Sequence, residues 1–95
     1  MARALYYLGR YAEAAARAQQ CVQRAPTQVT CRATLVAALG QIRPASELQA
    51  EVARLLELSP GFTVAEDSRL RSTTTRSAAD TDHFAEGLRK AGVPE

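Results

Sequence analysis

The residues best suited to metal chemistry lie near the C-terminus, around the only histidine of the chain. His83 stands close to Asp80 and Asp82, whose carboxylates could act as further ligands. Adjacent residues of a helix do not share a face, so Asp82 and His83 would point in different directions. No cysteine or second histidine lies nearby in the sequence to complete a ligand set. We therefore predict a structural or surface histidine, with no metal and no cofactor.

Cys21 and Cys31 are the two residues that could form a redox pair. Cys21 falls at an apolar position of an amphipathic segment, and Cys31 opens the next segment. The N-terminus lacks the pattern of a signal peptide, and no apolar run is long enough to span a membrane. These features predict a cytoplasmic protein, in which disulfides are rare and cysteine packs as a small hydrophobic residue. Two buried thiols are favoured over a functional disulfide.

Other sequence patterns that could support binding or catalysis are weak. The glycines form no phosphate-binding loop, because none lies in a GxGxxG or Walker-type pattern. The Ser/Thr run at 72–77 could accept phosphate beside Arg71 and Arg76, but a flexible linker is the favoured interpretation. The net charge of +2 includes no basic stripe, which disfavours nucleic acid as a partner. Because no set of nucleophile, base and orienting group is evident, we predict that the chain is not an enzyme.

The elements that position these residues repeat along the chain with a period of 34 residues. Segments 8–26 and 42–60 align at that offset with similar residue types. The aligned pairs are Leu8 with Ile42, Glu13 with Glu47, Cys21 with Leu55, Val22 with Leu56, and Pro26 with Pro60. Within each segment, apolar residues recur at three- and four-residue spacing, which is typical of an amphipathic helix.

Helix start and stop signals give approximate bounds for the elements. Gly9 and Gly92 predict C-terminal ends, Thr27 and Asp80 predict N-caps, and Pro44 suits a first helical turn. The predicted helices cover 2–8, 11–25, 28–41, 44–58, 63–71 and 81–91. We expect a repeat region over 1–71 with a truncated first repeat, a linker over 72–79, and an amphipathic helix over 80–95.

The period and the residue types resemble the tetratricopeptide repeat family over about residues 2–62. The matching positions of the first repeat are Leu5, Gly9, Tyr11, Ala14, Cys21 and Pro26. The resemblance implies an all-α fold in which antiparallel helix pairs stack as an α-α superhelix, with a C-terminal capping helix. Arg43 stands where the family has a turn glycine, and Leu48 where it has a small alanine. We therefore expect an altered second turn and a splayed second pair.

The resemblance also implies a function in protein binding. In this family, the first helix of each pair lines a concave groove that can hold a peptide or a partner helix. The corresponding residues of this sequence are Arg3, Tyr6, Tyr7, Thr30, Ala33, Ala37 and Gln41. Tyr6 and Tyr7 are the best contact candidates, because aromatic residues with a polar tip are favoured at interfaces. Packing of both tyrosines against a neighbouring helix is equally compatible with the pattern.

Segments 60–63 and 84–95 resemble the C-terminal end of certain bacterial signalling proteins. In those proteins, an adenylate/guanylate cyclase domain or a DNA-binding regulator domain precedes a tetratricopeptide region. The alternative function is therefore a regulatory or oligomerising region of a cyclase-like protein, although no cyclase motif lies in this chain. A truncated first repeat would leave an apolar face without its partner helix. We expect Leu5 and Leu8 to pack against a second copy or an upstream domain.

Overall fold

The described part of the chain is built from helices. A computed structural model describes the backbone of residues 2–72 and 78–95 and the side chains of residues 5–69 and 81–95. Its helices are α1 (Ala2–Tyr7), α2 (Tyr11–Arg24), α3 (Val29–Ile42), α4 (Gln49–Leu58), α5 (Val64–Ser72) and α6 (Ala78–Ala91), and a 3-10 helix (Ala45–Glu47) precedes α4. These ranges contain no strand, so the predicted all-α class is confirmed. None of the six helices is long and apolar enough to cross a membrane.

Gly9 ends α1 and turns the chain into α2, as predicted. Its φ of 80° is a left-handed conformation that residues with a side chain rarely adopt. The Gly9 N–H donates to the Tyr6 carbonyl and the Arg10 N–H to the Leu5 carbonyl, both at 3.0 Å. These two bonds satisfy the last carbonyls of α1, in the arrangement that commonly ends a helix at glycine. The turn is therefore short, and α1 packs directly on α2.

The second turn differs from the first, as the departures at Arg43 and Leu48 predict. Arg43 has an extended backbone, with φ −134° and ψ 150°, because the ring of Pro44 disfavours the helical conformation in the preceding residue. A 3-10 helix then leads to Leu48, whose side chain is buried in the core. The prediction that α4 begins at Pro44 is wrong, since α4 begins at Gln49.

Two other predicted helix starts also differ from the structure. The N-cap of α3 is Gln28 rather than Thr27, and its side chain makes no capping hydrogen bond. Asp80 is not an N-cap, because it lies inside α6, which begins at Ala78. Both ends of the predicted 72–79 linker belong to helices, namely α5 and α6, and residues 73–77 lie outside the described part.

Helix α3 is the centre of the core. Its residues from 33 to 38 are all buried, so the helix is covered on every side. It packs against α2 on one side and α6 on another, and more sparsely against α4. Four residues give α6 a buried apolar face: Phe84, Ala85, Leu88 and Ala91. The sequence predicts that the last helix caps the final repeat, whereas α6 lies mainly on α3, with further contacts to α5 and α1.

The C-terminal end of the chain satisfies the first turn of α5. The Val64 N–H donates to the Pro94 carbonyl at 2.8 Å, and the Ala65 N–H donates to the Glu95 carbonyl at 3.1 Å. The Thr63 hydroxyl accepts the Glu66 N–H at 3.0 Å, which is an N-cap interaction. Helix α6 is therefore tied to the rest of the fold at its C-terminal end as well as along its apolar face.

Candidate functional site

Three of the predicted groove residues, Tyr6, Ala37 and Gln41, come together where α1, α3 and α6 meet. Tyr6, Ala33 and Ala37 are almost fully buried, and Gln41 is partly buried. Ala33, Ala37 and Gln41 are four residues apart, so they share one face of α3. We call the surface formed by Tyr6, Ala37, Gly40 and Gln41 the α1–α3 face. In this structure, α6 lies on it.

Two glycines let α3 and α6 approach to backbone contact. A Cβ added to Gly87 would overlap the Tyr6 hydroxyl and the Ala37 carbonyl oxygen. A Cβ added to Gly40 would overlap the Gly87 carbonyl oxygen and crowd the backbone nitrogen of Ala91. Glycine in a helix interior is unfavourable by roughly 0.5–1 kcal/mol relative to alanine. Close contact between the helices explains why both positions carry no side chain.

The Tyr6 hydroxyl fits over Gly87 and forms hydrogen bonds on both sides of the interface. It donates to the backbone carbonyl of His83, with 2.5 Å between the oxygens. A side chain at 87 would cover the turn that precedes it, so Gly87 leaves the His83 carbonyl open to the hydroxyl. The Gln41 amide donates to the Tyr6 hydroxyl at 3.1 Å. The buried hydroxyl is therefore satisfied as donor and as acceptor.

An aromatic cluster surrounds the Tyr6 ring. The ring centroid of Tyr6 lies 5.2 Å from that of Tyr11, 5.3 Å from Phe84 and 4.6 Å from His83. The Tyr11 hydroxyl and the His83 Nε2 are 2.6 Å apart and share a hydrogen bond. His83 is partly buried here, so its ring and its carbonyl both join α6 to the N-terminal helices. Among the described residues, no group of three or more His, Cys, Asp or Glu side chains could hold a metal ion.

Burial changes the titration of Tyr6. Loss of solvent around the hydroxyl raises the pKa of Tyr6 to about 12, and the hydrogen bond from Gln41 opposes that rise only in part. The neutral phenol is therefore the form that the α1–α3 face holds. The pKa in the folded chain lies above the ordinary value of 10.0, so burial of the neutral phenol favours the folded state fully below pH 10.0. This contribution to stability is lost as the pH rises through about 12.

A polar edge closes the interface on its solvent side. Lys90 donates to the Gln41 side-chain oxygen at 3.0 Å and pairs with Glu86 at 3.0 Å. Hydrogen bonding and charge from Lys90, with a hydrogen bond from Gln41, lower the pKa of Glu86. Lys90 and Glu86 are exposed, so their ion pair defines the orientation of α6 more than it adds stability.

The other predicted partner-binding residues lie elsewhere or are only partly covered. Tyr7 is partly buried, with its ring centroid 5.8 Å from that of Tyr6. Thr30 is exposed and lines a cleft between α2 and α3. In the predicted oligomer face, Leu5 is partly buried and Leu8 is 72% exposed. The side chain of Arg3 lies outside the described residues.

The cleft that includes Thr30 also contains the two cysteines, and they are not free thiols. Cys21 and Cys31 form a disulfide, with a Cα–Cα distance of 5.7 Å, inside the usual range of about 4.4–6.8 Å. The prediction of two buried thiols is therefore wrong. The bond joins the last turn of α2 to the first turn of α3, because the short connection between them brings these two turns side by side.

Comparison of the chain with protein-family models, with curated proteins and with solved structures finds no match.

Proposed function

We propose that this chain is a non-catalytic protein-interaction module of tetratricopeptide type whose α1–α3 face binds an amphipathic helix. The proposal is supported by the helix that covers this face in the structure, which is α6. Helix α6 is itself amphipathic, and it buries Phe84, Leu88 and Ala91 while Glu86 and Lys90 stay exposed. An amphipathic helix that lays its apolar side into a groove is a common mode of peptide recognition.

The residues that meet α6 indicate which helices would fit. The Tyr6 hydroxyl and the Ala37 carbonyl oxygen require a position without a side chain on the bound helix, which Gly87 supplies. Gln41 offers an amide to polar groups at the edge of that helix, as it does to Glu86 and Lys90. We therefore expect ligands with a glycine at the crossing point, a large apolar residue on either side, and polar groups along one edge.

We expect that a free peptide can replace α6 once the packing of α6 on the α1–α3 face is weakened. Because α6 belongs to the same chain, its local concentration is on the order of millimolar, which excludes a competing peptide from the unaltered protein. Gly87→Ala weakens the packing of the chain's own α6 on the α1–α3 face. A labelled peptide of residues 78–95 keeps its glycine and can still pack there. We expect fluorescence anisotropy to show micromolar binding of that peptide to the Gly87→Ala chain and none to the unaltered chain.

The matched control is Gly61→Ala, because an added Cβ at that glycine meets no atom within 4 Å. This variant should not bind the peptide. His83→Ala gives a second way to weaken α6, since it removes the Tyr11 hydrogen bond without adding bulk. If Gly87→Ala and His83→Ala both stay folded and neither binds the peptide, the α1–α3 face is not a helix-binding groove.

The exposure of Leu8 favours a second candidate function, a regulatory or oligomerising region of a cyclase-like signalling protein. Leu8 is 72% exposed next to the partly buried Leu5, so this end of α1 offers apolar surface to a second copy. Sedimentation of the full chain at micromolar concentration should then detect a dimer, and Leu8→Ser should dissociate it. A monomer at that concentration would rule this candidate out.

A further inference from the structure

The cleft between α2 and α3 presents a disulfide together with positive charge. Its volume is about 630 Å³, which lies in the size range of small-molecule sites. Both cysteines line it, together with Arg17, Arg24 and Gln28. Because the cleft lies on the α2–α3 pair rather than at α6, its chemistry is independent of the α1–α3 face.

The two arginines stand on either side of the disulfide along α2. Arg17, Cys21 and Arg24 are spaced four and three residues apart, so they share one face of that helix. Both arginine side chains are exposed, and neither forms an ion pair with a carboxylate of the described residues. Exposed guanidinium groups are suited to binding carboxylates, which they can hold through two parallel hydrogen bonds.

The two sulfur atoms differ in access and in surroundings. Cys21 is partly exposed, whereas Cys31 is 8% exposed. Cys31 lies in the first turn of α3, a helix of 14 residues, where the positive end of the helix dipole favours a negative charge. An entering nucleophile therefore reaches Cys21 first, and Cys31 is the sulfur better able to leave as a thiolate.

We propose that this cleft is a thiol–disulfide exchange site for small, carboxylate-bearing thiols. The arginines hold the carboxylate, and the thiolate of the ligand attacks the Cys21 Sγ. The Cys21–Cys31 bond breaks, its electron pair goes to the Cys31 Sγ, and a mixed disulfide forms between Cys21 and the ligand.

A second ligand thiolate completes the exchange by attacking the ligand sulfur of the mixed disulfide. That step releases the disulfide of the ligand and leaves Cys21 as a thiolate. Both cysteines take up the two protons that the ligand thiols gave to solvent. Two ligand thiols and one protein disulfide thus become one ligand disulfide and two protein thiols, and the reverse reaction oxidises the protein.

The test compares the full oxidised chain with three small thiols: mercaptopropionate, which carries a carboxylate, neutral mercaptoethanol, and cationic cysteamine. Loss of the protein disulfide is followed by alkylation and intact mass. Rates are expressed per thiolate and divided by those for a small neutral disulfide, which corrects for the intrinsic reactivity of each thiol. We expect the carboxylate-bearing thiol to react about fivefold faster than the neutral one, from two exposed ion pairs, and the cationic thiol to react more slowly.

The variant Arg17→Gln/Arg24→Gln should abolish this preference. Arg43→Gln/Arg54→Gln changes the net charge equally at residues that do not line the cleft, and it should keep the preference. Absence of a charge preference in the unaltered chain, or its retention in Arg17→Gln/Arg24→Gln, would overturn the proposal. So would the persistence of two alkylatable thiols after the reduced chain has been treated with the disulfide of mercaptopropionate.

The order of attack has its own test. Brief treatment of the oxidised chain with one equivalent of mercaptopropionate, followed by an acid quench, alkylation and peptide mapping, should place the adduct on Cys21 and the alkyl group on Cys31. The opposite placement would overturn the assignment of Cys21 as the attacked sulfur.

Discussion

Replacement of Gly87 by alanine perturbs the α3–α6 interface at its closest point. The added Cβ would overlap the Tyr6 hydroxyl and the Ala37 carbonyl oxygen, so α6 must move away or Tyr6 must shift. A shift of Tyr6 would also disturb its hydrogen bond to the His83 carbonyl. The same substitution on an open face of a helix would instead stabilise it, because alanine has the higher helix propensity.

The magnitudes decide the sign of the effect. The gain in helix propensity is about 1 kcal/mol. Overpacking of a well-packed interface costs about 1–3 kcal/mol, and a weakened buried hydrogen bond costs about 1 kcal/mol more. We therefore expect Gly87→Ala to lower the free energy of unfolding by about 1–3 kcal/mol. A domain of this length has a stability of roughly 5–15 kcal/mol, so the variant should stay folded.

Urea denaturation followed by circular dichroism measures this difference, with Gly61→Ala as the control. Gly61 has no neighbour within 4 Å of an added Cβ, so its replacement should change the free energy of unfolding by less than about 1 kcal/mol. Gly40→Ala should destabilise at least as much as Gly87→Ala, because the obstructing atoms belong to the α6 backbone. A Gly87→Ala chain as stable as the unaltered one, or more stable, would refute the close approach of the two helices.

Three further predictions concern the tyrosines, the disulfide and the Tyr11–His83 pair. In a spectrophotometric titration, one tyrosine should ionise near pH 12, and this late step should be absent in Tyr6→Phe; a late step that remains would assign the shifted pKa to another residue. Reduction of the Cys21–Cys31 bond, which spans a sequence separation of 10, should lower the free energy of unfolding measured in urea by about 3 kcal/mol. A loss below roughly 1 kcal/mol would argue against a bond that constrains the unfolded chain. His83→Ala should lower the free energy of unfolding by about 1 kcal/mol in the unaltered chain and by little in a Tyr11→Phe background. Equal decreases in the two backgrounds would contradict the Tyr11–His83 hydrogen bond.

Local signals in the sequence predict local features of the fold well. Gly9 and Gly92 both adopt a positive φ at a helix end, where glycine avoids the steric penalty of a side chain. The N-cap of α5 also has a sequence signal, since Thr63 and Glu66 form the spacing of a capping box. Thr27 and Asp80 carry comparable signals, but the structure places the helix starts elsewhere. The all-α class follows from the apolar spacing.

The sequence patterns do not predict contacts between residues that are far apart in the chain. Tyr6 bonds to a carbonyl 77 residues away, and no periodicity within a repeat can express that pairing. Gly87 did offer a signal, because a glycine inside a helical pattern often marks a close packing contact. Its partner Gly40 lies on a different helix and becomes evident only when the two helices are brought together. The sequence left the pairing of Cys21 with Cys31 open, because only the packing of α2 on α3 brings the two helix turns side by side.

The position of α6 on the α1–α3 face is tested most directly by nuclear Overhauser effects between aromatic rings. We expect cross-peaks from Tyr6 to Phe84 and to His83, whose ring centroids lie 5.3 and 4.6 Å from that of Tyr6. Cross-peaks between Tyr6 and Tyr11, at 5.2 Å, serve as the internal reference, because they arise within the N-terminal pair of helices. Tyr6–Tyr11 cross-peaks without any to Phe84 or His83 would show that α6 lies away from the α1–α3 face.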